Sequence, residues 1–251
     1  MAAVNPHVAA SYNFRRKRLF CSLSVALIFA CVPVSAQIAA PTPEFSFDVL
    51  IKGIDTPWAI DFATDGRIFI TERGGRIRVL ERGHLRPDPW MTLDVAASGE
   101  AGLLGLALDP RFAQNFFVYV ATTHRNASGK MQNRLVRLRE DPRTGNGMLD
   151  KVLIDNVDAA NNHDGGRVKF GPDGKLYWSM GDAQESRRAQ NLSSLKGKIL
   201  RLNPDGSIPK DNPFANSYVY SYGHRNPQGL AWQPKTGRLY ATEHGPSGFQ
   251  G

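Results

Sequence analysis

The chain repeats one hydrophobic plan four times. An apolar strand, a turn of Pro, Asp or Gly, and a second strand rich in aromatic residues follow one another in four segments. They read PWAIDFATDGRIFITER (57–73), GLLGLALDPRFAQNFFVYVATT (102–123), GRVKFGPDGKLYWSMGD (166–182) and GLAWQPKTGRLYATEHG (229–245). The first three are followed by RIRVLER (76–82), RLVRLRE (134–140) and KILRLNPDG (198–206). Alternation in RIRVL and KILRL has the period of two expected of half-buried strands. Asp65-Gly66, Asp173-Gly174 and Thr236-Gly237 supply the left-handed residue that a tight reversal needs, which predicts hairpins. Helical periodicity is absent; the nearest stretch, Arg187 to Leu195, predicts at most a short turn of helix.

The repeats start roughly 45–65 residues apart, the spacing of four-stranded blades in a β-propeller. The fold class is therefore read as all-β, with about four blades in this chain. A two-sheet sandwich is the alternative for the same pattern. Four copies are an odd count for a closed ring, and open blade edges would expose unpaired strands. One or two C-terminal blades beyond Gly251 are therefore expected to be missing. With 251 residues, 41% hydrophobic, the chain is long enough to bury a large core.

The N-terminus changes the picture of where the protein works. A basic FRRKR run, an apolar stretch from Leu19 to Val32 and a small-residue Val34-Ser35-Ala36 site predict a signal peptide over 1–36 and a propeller domain over 37–251. The apolar stretch is short of the roughly 20 residues that cross a bilayer, and no later segment resembles a span. A periplasmic or secreted location is expected. Both cysteines, Cys21 and Cys31, fall inside this leader, so disulfides, cysteine nucleophiles and thiolate metal sites are excluded from the mature chain. The formal charge is +8, and Arg15, Arg16, Lys17 and Arg18 in the leader supply half of it. The body has no basic run with interleaved aromatics, which argues against a nucleic-acid partner.

Polar clusters sit at the predicted blade junctions: Gly99 to Leu104, Asn161 to Arg167, and Gly223 to Gly229 with Glu243 to Pro246. His163, flanked by polar residues and glycines, is placed on a loop. An exposed histidine can accept a proton from a hydroxyl, as alcohol oxidation requires, and the same residue also reads as an ordinary turn histidine. Arg225 and Asn226 suggest a donor fork for carboxylate or quinone oxygens, or else a structural turn. Gly245 and Pro246 offer backbone carbonyls of the kind calcium accepts, or a simple turn. Ser193-Ser194-Leu195-Lys196 with Lys235-Thr236-Gly237 lacks the intervening motif of penicillin-recognising enzymes. There is no phosphate-binding glycine loop and no dinucleotide fingerprint, which excludes a nicotinamide cofactor.

At these clusters the sequence resembles the soluble pyrroloquinoline-quinone (PQQ)-dependent aldose sugar dehydrogenases, the glucose/sorbosone dehydrogenase family. The resemblance runs from about residue 45 to 250 and rests on GEAGLLGLALDP, NNHDGGRVKFGPDGKLYWSMGD, LKGKILRLNPDGSIPKDNPF, YGHRNPQGLAWQP and EHGP, in order. It implies a six-bladed β-propeller with the quinone over the central channel, oxidising the anomeric hydroxyl of an aldose to a lactone and passing electrons to an unknown acceptor. His163 would be the base and Arg225 would stabilise charge on the quinone as it is reduced. Glu100, Asn162, Arg225, Asn226 and His244 would line the cofactor site, and the carbonyls of Gly245 and Pro246 would hold calcium. Two positions depart from the family. Glu100 stands where glutamine is common, placing a carboxylate near an anionic cofactor. Asn162 stands where some relatives have aspartate, implying weaker acidic support of His163. A non-catalytic propeller binding protein or glycan, and a calcium-dependent lactonase, are the alternatives.

Overall fold

A computed structural model describes residues 46–245. The expected leader, both cysteines and Pro246 lie outside the described residues. Every strand belongs to one unit that begins at Asp48.

Four antiparallel sheets follow one another along the chain. The first contains β1 (Pro57–Phe62), β2 (Ile68–Glu72) and β3 (Arg76–Glu81), with short edge strands β4 (His84–Leu85) and β5 (Met91–Thr92) both pairing β3. The second runs β6 (Leu103–Leu108), β7 (Phe117–Arg125), β8 (Met131–Glu140) and β9 (Gly147–Asp158). The third runs β10 (Val168–Phe170), β11 (Leu176–Met180), β12 (Lys198–Leu202) and β13 (Val219–Tyr222). The fourth is the hairpin β14 (Pro227–Trp232) and β15 (Leu239–Glu243). Each sheet packs face to face on the next, which is the blade arrangement of a propeller and sets the two-sheet sandwich aside.

The three hairpins predicted from the Asp-Gly and Thr-Gly turns, β1–β2, β10–β11 and β14–β15, are all present, and their chemistry is local. In β1–β2 and β10–β11 the turn aspartate accepts from the backbone two residues on, Asp65 from Arg67 at 3.0 Å and Asp173 from Lys175 at 3.1 Å. Gly66, Gly174 and Gly237 take the left-handed φ values of +90°, +70° and +66° that close these reversals.

Cores lie between sheets. Phe69, Ile77 and Val79 of the first sheet meet Leu103, Leu106, Val118 and Val120 of the second. Tyr119, Ala121 and Leu135 on the opposite face meet Val168, Trp178 and Leu200 of the third. Each such wholly buried side chain contributes about 1.5–3 kcal/mol. The first strands crowd together: a Cβ on Gly105 of β6 would stand 2.0 Å from the Gly166 carbonyl oxygen just ahead of β10. Only glycine permits that approach.

The alternation read in KILRL is overturned, because all five residues of β12 are buried. Leu200 and Leu202 face the second sheet while Ile199 faces the fourth, so both faces of the strand are covered. RIRVL alternates over its first four residues, with Ile77 and Val79 buried and Arg76 and Arg78 half-buried, before Leu80 is buried as well. Two short helices accompany the strands among the described residues, within an otherwise all-β fold. One, α1 (Phe112–Asn115), interrupts the β6–β7 connection. The other, α2 (Ser186–Gln190), is the short turn expected near Arg187.

Candidate active site

Three loops, each ahead of the first strand of its sheet, meet at one end of the strands. Glu100 precedes β6, His163 to Arg167 precede β10, and Gly223 to Asn226 precede β14. Glu100 joins all three, since its Oε2 accepts from the His163 backbone N–H at 2.8 Å and from Asn226 Nδ2 at 3.1 Å. The Glu100 N–H donates to the Asn161 carbonyl at 2.7 Å. Asn226, wholly buried, also accepts from the Gly165 N–H through Oδ1 at 3.0 Å. Residues as far as 126 positions apart are thus fixed by a few hydrogen bonds.

His163 holds a left-handed backbone, φ +64°, which costs a non-glycine residue about 1–3 kcal/mol. Glu100 secures its N–H, and its carbonyl accepts from the Ala183 N–H at 3.1 Å. Gly181 leaves room for that turn, because a Cβ there would stand 1.8 Å from the His163 carbonyl oxygen. On the ring, Nδ1 lies 2.8 Å from Oδ1 of Asp182, a carboxylate whose side chain is 5% exposed. In the neutral ring Nδ1–H donates to the carboxylate, which leaves Nε2 as the basic nitrogen. Asp182 is held in turn, Oδ1 accepting from the Gln184 N–H at 2.9 Å and its own N–H donating to the Arg225 carbonyl at 2.8 Å.

A cleft of about 480 Å³ opens on this pair, lined by His163, Asp182, Gln184, Gln190, His224 and Arg225 among others. His224 cannot act as a free base there, for Nδ1 meets Glu243 at 2.9 Å and Nε2 meets the Ser221 hydroxyl at 2.8 Å. Burial by itself would raise the Glu243 carboxyl, but the hydrogen bonds from His224 and the Arg225 N–H outweigh it and hold the group below the usual carboxylate range. Arg225 donates Nη1 to the His244 carbonyl at 2.9 Å. Its remaining guanidinium donors suit anionic or carbonyl oxygens in the cleft.

Behind His163, Asp164 is buried, and Oδ1 accepts from Asn133 Nδ2 at 2.9 Å and the Ala160 N–H at 3.3 Å. Its Oδ2 has no partner among the described residues. Burial pushes this carboxyl up to about 6, with the nearby Glu100 charge adding to the effect.

The geometry gathers His163, Glu100, Asn226 and Arg225, but it gives several of them other work than the sequence suggested. Arg225 and Asn226 do not form a fork, because the Asn226 amide is wholly buried and bonded to Gly165 and Glu100. Glu100 anchors the loop of the histidine. Asn162 is half-buried, and the acidic support that its position lacks is supplied by Asp182. His244 lends its backbone, with its N–H donating to the Asn226 carbonyl at 3.0 Å. Gly245 is exposed at the end of the described residues, which hold no group of three or more acidic or histidine side chains placed for a metal. Pro246 lies outside the described residues, so the expected backbone-carbonyl calcium site falls only partly within them. Sequence reasoning missed Asp182, Gln184 and Glu243. The available signal for Asp182 was its place directly after the buried strand of SMGD, where a chain leaves the sheet for a loop.

The model of the family described as Glucose / Sorbosone dehydrogenase matches residues 54–250. The chain is 36% identical over 229 residues to the aldose sugar dehydrogenase YliI of Escherichia coli, covering 85% of this chain and 60% of that protein. A solved structure of a putative glucose dehydrogenase from Thermus is 48% identical with a TM-score of 0.74, covering 79% of this chain and 61% of that one. The PQQ-bound aldose sugar dehydrogenase of Streptomyces coelicolor is 36% identical with a TM-score of 0.72, covering 79% and 59%. The chain thus spans about three fifths of the length of these three proteins.

Proposed function

Because the chain belongs to the glucose/sorbosone dehydrogenase family, we propose that it carries the site of a PQQ-dependent aldose dehydrogenase that oxidises an anomeric hydroxyl to a lactone. The observation that carries this reading is the His163–Asp182 pair, with one ring nitrogen tied at 2.8 Å and the other left basic beside the cleft. The bound quinone would supply the two-electron acceptor that takes the hydride from the anomeric carbon. His163 Nε2 takes the hydroxyl proton as that hydride leaves. Asp182 holds the tautomer that makes this possible and stabilises the imidazolium that results. Arg225 binds anionic oxygen in the cleft, and Glu100 with Asn226 fixes the loop on which His163 rides. The described residues suit a quinone through their donors, and calcium at the carbonyls of Gly245 and Pro246 stays an expectation, since Pro246 lies outside the described residues. The expected leader supports a periplasmic or secreted site of action, and among the described residues no helix is long and apolar enough to cross a membrane.

The test is His163→Ala in the purified protein, assayed by sugar-dependent dye reduction and by quinone binding. Loss of a general base lowers turnover by about 10²–10⁴-fold while quinone binding persists. Unchanged turnover would remove His163 from the role.

A further inference from the structure

Behind the cleft wall lies a buried lysine with no carboxylate. Lys198 on β12 is wholly buried, and its Nζ donates to the carbonyls of Ala189 at 2.8 Å, Arg188 at 2.9 Å and Lys196 at 2.6 Å. An ammonium has three donors, and all three are used. Burying it still carries a cost, and burial pushes the amine down to about 8. The groups packed around it do not offset that cost. Arg188 and Lys196 lend only their carbonyls, with both side chains turned to Glu185 at 3.2 Å and 2.6 Å. Across the ladder, β11 presents Met180 and β13 presents Tyr222.

The benefit falls on α2. Five residues do not hold a helix in water, and this one has no side-chain bond at its N-cap and an extended residue, Asn191, at its C-cap. The Asn191 N–H reaches the Arg188 carbonyl at 3.1 Å, and the Lys198 ammonium adds a second, charged bond to the Arg188 and Ala189 carbonyls and complements the helix dipole at that end. The same segment forms the cleft. It begins at Asp182, and Gln184, Ser186, Ala189 and Gln190 line the wall. The Ala189 carbonyl also accepts from the Gly223 N–H at 2.9 Å, which couples α2 to the loop of Arg225.

We propose that Lys198 is a positioning residue of the active site, clamping the segment from Asp182 to Gly197 so that the cleft wall and the Asp182 carboxylate stay where His163 uses them. The inference rests on the reading of the cleft as the quinone and sugar site. Its test is Lys198→Met in the full chain, which keeps the length of the side chain and removes the donors. Well below both melting midpoints, PQQ affinity is expected to fall about tenfold or more. Amides of 182–197 are expected to lose exchange protection while β6–β8 keep theirs. In the unsubstituted chain, opening of this segment would return the Lys198 amine from about 8 to its ordinary 10.5, so protection of 182–197 should rise as pH rises through about 8, with no such step in β6–β8. Equal PQQ affinity in the two folded proteins, or unchanged protection of 182–197, would overturn the proposal. If the variant does not fold, the pH dependence of protection decides, and the absence of a step near pH 8 overturns it. If the unsubstituted protein binds no PQQ, the functional reading fails by itself, and the exchange results still judge the clamp.

Discussion

Replacing Glu100 by alanine removes the acceptor shared by two donors, the His163 N–H at 2.8 Å and Asn226 Nδ2 at 3.1 Å. Asn226 is wholly buried, so its freed amide has no route to water, and an orphaned buried donor costs about 1–3 kcal/mol. The His163 N–H is only partly buried and recovers some solvent, but its left-handed backbone loses one of the two bonds that hold it. Together these predict a loss of about 3 kcal/mol for Glu100→Ala, or about 6–12 °C in melting midpoint for a domain of this size. Glu100→Gln behaves differently. A single amide oxygen can accept from both donors, so the predicted loss is under about 1 kcal/mol. The substitution also removes a negative charge beside the cleft, and PQQ, itself an anion, should bind as well or better. The assay is paired thermal melting with PQQ titration of the three proteins. A glutamine variant that melts as low as the alanine variant, or an alanine variant that melts like the unsubstituted protein, would refute the anchoring role.

Asp182→Asn is expected to lower sugar-dependent turnover by about 10²–10⁴-fold with quinone binding retained, because the amide neither fixes the tautomer of His163 nor stabilises its charged form; turnover and PQQ titration on the same sample check this. Asp164 titrates near 6 in the folded protein against 3.8 for the free group, so folding favours its protonated form. Its contribution is full below pH 3.8 and declines as pH rises to 6, by about 3 kcal/mol. Asp164→Asn should remove that part of the stability-versus-pH curve measured by denaturant unfolding, and an unaltered curve would exclude Asp164 as its source.

The hairpins were legible because their causes are local. Alternating apolar residues and an Asp-Gly turn fix a strand reversal without help from the rest of the chain, as at Asp65-Gly66 and Asp173-Gly174. Outer strands were harder. β9 is an edge strand whose register shifts against β8 and whose Met148 and Leu149 are exposed, so no clean alternation marks it. KILRL misled for the opposite reason, since covering both faces of β12 buries Lys198 and Arg201 along with its apolar residues. Within the site, His163, Arg225 and Glu100 could be singled out from their motifs. The bonds between them could not. Nothing in the local sequence tells that Glu100 reaches the backbone of a residue 63 positions later, or that Asp182 faces a histidine 19 positions earlier. Those pairings follow from the sheet order that brings three loops to one end.

The most direct measurement is a single turnover. The protein is loaded with PQQ, excess aldose is added without any dye, and the absorption of the quinone is followed in the unsubstituted protein and in His163→Ala. The account predicts that the sugar bleaches the quinone in the first and that the second, with its quinone equally bound, bleaches at least about 10²-fold more slowly. Equal rates in the two proteins, or quinone that binds and is never reduced by any aldose, would contradict it.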